Sequence, residues 1–265
     1  MEKKYKRGRK MKLIPIKNGI HKKIILLTIL LFVSSIISIA VNYKDIGVFG
    51  IMHKKLPIYN VDTKEKKIAL TFDVSWGDDN TAKLLDILDK YKIKATFFLV
   101  GAWIDDNQSL TKEMAARGHE LGNHTNKHPD INSTSKAKLI EEIMSCDSKI
   151  IEATGISSKL FRFPSGEYND AAINTVEETG HYAIQWDVDS IDWKENGADI
   201  EYNRVIKKTK PGSILLFHNN AKYTPENLPR IIGKLQNDGY EFVKVSDLIY
   251  KDNFYLDASG KQIHK

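Results

Sequence analysis

From residue 66 onward the chain switches repeatedly between two hydrophobic periods. "KKIALTFDV" shows the first: Ile68, Leu70 and Phe72 alternate with smaller or polar residues, and the run meets Asp73. Segment 79–91 shows the second, with Leu84, Leu85, Leu88 and Tyr91 at three- and four-residue spacings. Read this way, the pattern predicts strands over 67–73, 95–100, 119–123, 160–163, 182–188, 213–218 and 241–245. It predicts helices over 79–91, 107–117, 134–153, 170–179, 200–208 and 225–238. Gly118, Gly155, Gly180 and Gly239 each follow a helical run, where a helix stop is expected. Alternating strand and helix predict an α/β fold with a parallel sheet and helices outside it, open or closed into a barrel.

The chain before residue 66 has a different pattern. Residues 24–41, "IILLTILLFVSSIISIAV", form an uncharged apolar run of 18, long enough to cross a bilayer as a helix. Residues 1–23 hold ten Lys and Arg against one acid, Glu2. That asymmetry predicts a cytoplasmic arm over 1–23, a single transmembrane anchor over 24–41, and the rest of the chain outside the cytoplasm. The alternative is a cleaved signal peptide, with Ser38 and Ala40 as the small residues before Val41, and a secreted product. Residues 42–65, with Pro57, read as a linker, 66–250 as the folded domain and 251–265 as a polar, frayed tail.

The formal charge of +6 comes from the arm: without residues 1–23 the chain carries 30 basic and 33 acidic residues. A mildly acidic folded part argues against nucleic acid as a partner. Cys146 is the one cysteine, so no internal disulfide can form. It shares a helical face with Leu139, Ile143 and Ile150 and reads as core.

Parallel α/β folds place their chemistry at the carboxyl ends of strands. Asp73 ends the first predicted strand, His124 follows the third, Arg162 ends the fourth, Asp189 the fifth and His218 the sixth. A purely structural sheet has no need of five ionisable residues at strand ends. "HTNKH" adds His128 four residues after His124, a spacing at which two imidazoles on one helical turn bind one metal. Pro129 restricts that turn to a local one.

The segments "TFDV", "HTNKH", "RFPSG", "DSIDW" and "LFH" stand in the order found in the polysaccharide deacetylase family. This is carbohydrate esterase family 4, the NodB homology domain, and residues 66–250 resemble it. The form "TFDVSWGD" is most similar to the sporulation-associated PdaB-type branch. The resemblance implies a distorted (β/α)7 barrel, preceded here by the transmembrane helix. It also implies hydrolysis of N-acetyl groups from glucosamine-type sugars, and with an extracytoplasmic domain the substrate is cell-wall glycan of the peptidoglycan type. By resemblance, Asp73 is the base that activates water, Arg162 orients it, and His124 and His128 bind a divalent metal. His218 is the acid that protonates the leaving amine, and Asp189 tunes it. Trp193 and Leu216 are the apolar walls around the acetyl methyl. The family's metal-ligating aspartate is replaced by Val74, so Asp78 or water is expected to complete the metal shell. The family's tyrosine in the third motif is Ser165, whose backbone N–H could still serve an oxyanion hole. Imidazole ligands favour zinc or cobalt over magnesium. Two other readings use the same residues: a glycan-binding relative without activity, and an O-acetyl esterase.

Overall fold

The computed structural model describes residues 18–42 and 54–265. They belong to two units, Met1–His53 and Lys54–Lys265. In the first unit, α1 (Asn18–Asn42) contains the apolar run 24–41. Apolar side chains from Ile24 to Ile37 are exposed around it, which leaves no polar face. Among the described residues no helix is long and apolar enough to cross a membrane. The side chains of 38–41, which complete the expected span, lie outside the described residues, as do residues 1–17 of the arm and 43–53 of the linker.

The second unit begins with β1 (Asn60–Val61), β2 (Lys67–Val74), α2 (Thr81–Lys90), β3 (Thr96–Leu99), α3 (Gly101–Asp106), α4 (Gln108–Ala116), β4 (Glu120–Asn123) and α5 (Lys136–Thr154). It continues through β5 (Leu160–Phe161), α6 (Asp170–Glu178), β6 (Tyr182–Ala183), β7 (Val188–Asp189), α7 (Ala198–Lys208), β8 (Ile214–His218), α8 (Thr224–Asn237), β9 (Glu241–Val243) and α9 (Val245–Leu248). It closes with β10 (Phe254–Leu256) and β11 (Lys261–His264). The main sheet is parallel, in the order β6-β5-β4-β3-β2-β8-β7, with β9 on the first residues of β2. Its two edge strands, β6 and β7, are consecutive in the chain. The step from Ala183 to Val188 spans at most about 18 Å, so the sheet must curl until its edges approach. The outcome is an α/β barrel left partly open.

The predicted strand 182–188 is thus two strands. Its first half pairs with β5 and its second with β8. Ile58 forms an isolated bridge to Ile184, and Asn60 one to Ser213, so the entering chain fills the gap between them. The expected linker 42–65 therefore ends early, because residues from Lys54 belong to the compact unit. Val61 donates to Gly212 O at 2.9 Å. A Cβ on Gly212, which has φ +81°, would overlap Val61 O. The expected tail is folded too: β11 pairs parallel with β1 and antiparallel with β10. Gln262 is buried there, exchanging hydrogen bonds with the Tyr250 backbone. The hairpin β10–β11 is local, but β1, the other partner of β11, lies about two hundred residues earlier in the chain and leaves no local signal.

The period-two alternation of β2 builds two surfaces. Ile68, Leu70, Phe72 and Val74 face the helices and join the largest core cluster with Leu84, Leu88 and Leu228. Phe72 stacks on Phe97 at 5.0 Å between ring centroids. Each such buried aromatic contributes about 1.5–3 kcal/mol. Ala69, Thr71 and Asp73 take the opposite face, where Ala69 packs with Phe98 and Ile214 in a second cluster.

Candidate active site

Strand register assembles the site's first pair. Asp73 of β2 stands directly beside His218 of β8. Arg162, one residue past β5, reaches the same carboxylate through the barrel interior. Its Nη1 donates to Asp73 Oδ1 at 2.8 Å and to Thr71 Oγ1 at 2.8 Å, and its Nη2 donates to Gln185 O at 3.2 Å. The guanidinium lies over the Phe98 ring at 4.0 Å and is fully buried. Gly122, in register with Phe98, leaves room for that ring, which a Cβ would strike. Burial by itself would raise the Asp73 carboxyl. The Arg162 charge, helped by His124 and His218, outweighs it and holds Asp73 below the usual carboxylate range.

His124 follows β4. Its Nδ1 lies 2.8 Å from Arg162 O, and a carbonyl can only accept, so Nδ1 carries the proton. In the neutral ring the lone pair is then on Nε2, 3.6 Å from Asp73 Oδ2. Burial lowers the His124 pKa to about 4 and lowers that of His128 as well, so both rings are neutral near pH 7. The i, i+4 pair lies on no helix. Thr125 and His128 have φ of 69° and 53°, and these two left-handed residues fold the loop back. Asn123 Oδ1 accepts Thr125 N–H, and Thr125 Oγ1 accepts His128 N–H. The two imidazole centroids end 5.1 Å apart, edge to face.

The carboxylate that holds His218 is not the expected one. Asp189, where β7 ends, accepts Ile191 N–H at 2.7 Å and so closes a turn. Ile191 is left-handed, with φ 55°, and reverses the chain. Asp192 thereby meets His218, accepting from Nδ1 at 2.7 Å and from the backbone N–H at 2.7 Å. Burial opposes the charge on His218, but the Asp192 hydrogen bond and charge win, with smaller help from Asp73 and Asp189, and the imidazole pKa is raised. Asp192 was legible as the residue before Trp193 in "DSIDW", but the strand-end rule pointed to Asp189.

Asp73, His124, His128, Asp189, Asp192 and His218 line one cavity of about 530 Å³, together with Ser165, Trp193 and Leu216. Trp76 and Trp193, at its rim, are 63% and 58% exposed, unusual for tryptophan. A larger cavity of about 920 Å³ lies at the opposite strand ends, lined by His119, His181 and the segments around them. It contains neither Asp73 nor His218, so the chemistry points to the smaller one.

The polysaccharide deacetylase family model matches residues 60–184. PdaA of Bacillus subtilis, a peptidoglycan-N-acetylmuramic acid deacetylase, is 32% identical over 213 residues, 79% of this chain and 81% of PdaA. The chain belongs to the polysaccharide deacetylase family. A peptidoglycan-N-acetylglucosamine deacetylase of Bacillus cereus is 37% identical over 196 residues, 72% of this chain and 92% of that protein. The chain spans 60% of the length of another relative, the B. subtilis protein YlxY, with 33% identity over 193 residues. Among solved structures, B. subtilis PdaA superposes with a TM-score of 0.69 at 32% identity, covering 72% of this chain and 84% of PdaA. A family 4 pseudoenzyme from Bacillus anthracis superposes with a TM-score of 0.70 at 31% identity, covering 79% of this chain and 72% of that one. A mutant of that pseudoenzyme, with restored enzymatic activity, gives 0.70 at 34% identity, covering 73% of this chain and 71% of the mutant.

In this member of the polysaccharide deacetylase family the donor set for a metal is short. Among the described residues no group of three or more His, Cys, Asp or Glu is arranged to hold a cation. The buried His124 Nε2, with its proton committed to Nδ1, fits a metal ligand, and His128 stands beside it. Val74 cannot join them: it is fully buried on the helix-facing side of β2. The expected third ligand, Asp78, is exposed and lines a neighbouring cavity of about 460 Å³ with Trp76 and His128. Val74→Asp buries a carboxylate in the outer core and is expected to cost about 3–5 kcal/mol. A thermal melt reads this as a lowered Tm, and an unchanged Tm would mean the new side chain escapes to the cavity. Ser165, exposed at the cavity with φ 55°, keeps its backbone in a turn that a side chain rarely adopts.

Proposed function

We propose that this chain removes N-acetyl groups from cell-wall amino sugars of the peptidoglycan type. One observation carries the reading: a carboxylate whose pKa Arg162 holds down and an imidazole whose pKa Asp192 raises stand side by side at one cavity. Hydrolysis of an amide needs both at once, and environments that push two pKa values apart supply them. Asp73 takes a proton from a water as its oxygen attacks the acetyl carbonyl carbon. His218, with Nδ1 on Asp192, gives the Nε2 proton to the amide nitrogen as the C–N bond breaks, leaving acetate and a free amine. Leu216 and Trp193 offer an apolar seat for the methyl group, and the exposed faces of Trp76 and Trp193 suit sugar rings. His124 and His128 would hold a divalent metal, zinc or cobalt by ligand type, and a bound metal would polarise the acetyl carbonyl. The similarity to peptidoglycan deacetylases of Bacillus supports the substrate class.

A second reading is favoured by Val74: a glycan-binding relative without activity, as the likeness to a family 4 pseudoenzyme suggests. Acetate release from N-acetylated glycan fragments, with and without chelator and with added zinc or cobalt, separates the readings. Release that metal restores after chelation is the expected result. Release that survives full chelation would remove the metal, and binding without release would leave the second reading. Faster release from O-acetyl esters than from amides would favour the esterase.

The apolar helix α1 behind a basic arm supports a membrane anchor with the deacetylase domain outside the cytoplasm. Protease added to intact wall-less cells is expected to remove the domain, and protection until lysis would overturn this topology. The "TFDVSWGD" form supports a role on spore-wall glycan. Unchanged acetylation of that glycan in a deletion strain would count against it.

A further inference from the structure

Behind Asp192 lies a second buried carboxyl that the acid–base scheme does not use. Glu201, in the first turn of α7, is 3% exposed. Its Oε1 is 3.3 Å from Thr224 Oγ1, and the same hydroxyl is 3.1 Å from Asp192 Oδ2. Thr224, the first residue of α8, is fully buried. A hydroxyl has one proton to donate. The hydroxyl is within donating distance of both carboxylates, and Asp192 is the nearer acceptor. With the proton spent there, the threonine oxygen accepts from Glu201 when Glu201 is protonated. Asp192 meanwhile accepts from His218 Nδ1, His218 N and Trp193 N, which with Thr224 fills its four acceptor positions. Hydrogen bonds therefore run from Glu201 through Thr224 to Asp192, and from His218 to the same carboxylate.

We propose that Glu201 is a positioning residue for His218, acting through Thr224 and Asp192. This rests on the acid–base reading of His218 above. The groups facing Glu201 are Asp192 from the loop after β7 and Thr224 and Asn227 from α8. Nearby cations are engaged elsewhere. Arg204 Nε donates to Asp189 O at 2.7 Å, and Arg230 pairs with Asp199 at 3.1 Å. Burial first, and then the Asp192 charge, push the Glu201 carboxyl up to about 7. Below that pH the neutral carboxyl aims the Thr224 hydroxyl at Asp192. Above it, a second negative charge appears behind Asp192 and keeps the proton on His218 to higher pH. The charges facing His218 directly are Asp192, Asp73 and Asp189.

The test is the His218 titration by NMR in the full chain, with kcat against pH measured in parallel. Glu201→Gln keeps the shape and a donor but cannot ionise. It is expected to lose the His218 proton at lower pH than wild type, with kcat on the basic limb about threefold lower or less and the acid limb within about a factor of two. Thr224→Val removes the shared hydroxyl. With one donor fewer on Asp192, His218 is expected to keep its proton to higher pH, a shift of opposite sign. Titrations that coincide with wild type in the folded variants overturn the proposal. Should Glu201→Gln fail to fold, Glu201→Met, which also cannot ionise, takes its place and is expected to shift the His218 titration in the same direction. Shifts seen in a protein that releases no acetate would uphold the coupling and defeat the deacetylase reading, so the two fail separately.

Discussion

Asp73→Asn is expected to lower acetate release by about a hundredfold or more, the scale of a lost general base, and to destabilise the fold as well. The second effect follows from burial. Arg162 is fully buried and its only ion-pair partner among the described residues is Asp73, at 2.8 Å. Removing one charge of a buried pair leaves the other uncompensated, at a cost of about 3–5 kcal/mol. A strand-end position alone suggests a fold that survives unharmed, and the buried guanidinium is what changes that. Arg162 holds the folded-state pKa of Asp73 below its unfolded value of about 3.9. The pair's stabilisation is therefore fully present above that pH and is lost as pH falls through the folded value. Denaturant melts from pH 7 to pH 2 check this: the wild type loses stability towards acid, and the variant loses less. A variant as stable as wild type at pH 7 would argue that Arg162 finds another partner.

The second large effect separates two aspartates three residues apart. Asp192→Asn is expected to lower kcat on the order of a hundredfold, because His218 loses the partner that keeps its proton and its orientation. His218 has a raised folded pKa, so the loss moves the basic limb of the profile to lower pH. The stability that protonated His218 adds is fully present below its unfolded pKa of about 6.5 and is lost as pH rises through the folded value. The variant lacks that pH dependence. Asp189→Asn keeps a turn-capping oxygen for Ile191 N–H and is expected to stay within about fivefold of wild type. Equal losses in the two variants would return the tuning role to Asp189.

By itself the sequence determined the alternation of strands and helices, and with it the parallel sheet and its functional end. It also determined which face of β2 is which. Ile68, Leu70 and Phe72 share one parity and Asp73 takes the other, because side chains alternate strictly along a strand. The predicted strand stops at Asp73, and it is the structure that extends β2 through Val74 and puts that valine with the core face. The ordered motifs carried Arg162, His124, His128 and His218. Tertiary structure decided whatever depends on a chain reversal or on a distant partner. The left-handed residue Ile191 brings Asp192, not Asp189, to His218, and no periodicity encodes a single φ. The strand predicted over 182–188 divides because its halves find partners on opposite edges of the sheet. Residues 254–264 become strands by pairing with one another and with β1, about two hundred positions earlier in the chain. Glu201 reads in the sequence as one more charge on a helix. Only the packing of α7 against α8 buries it beside Thr224, where a shared hydroxyl ties it to the acid.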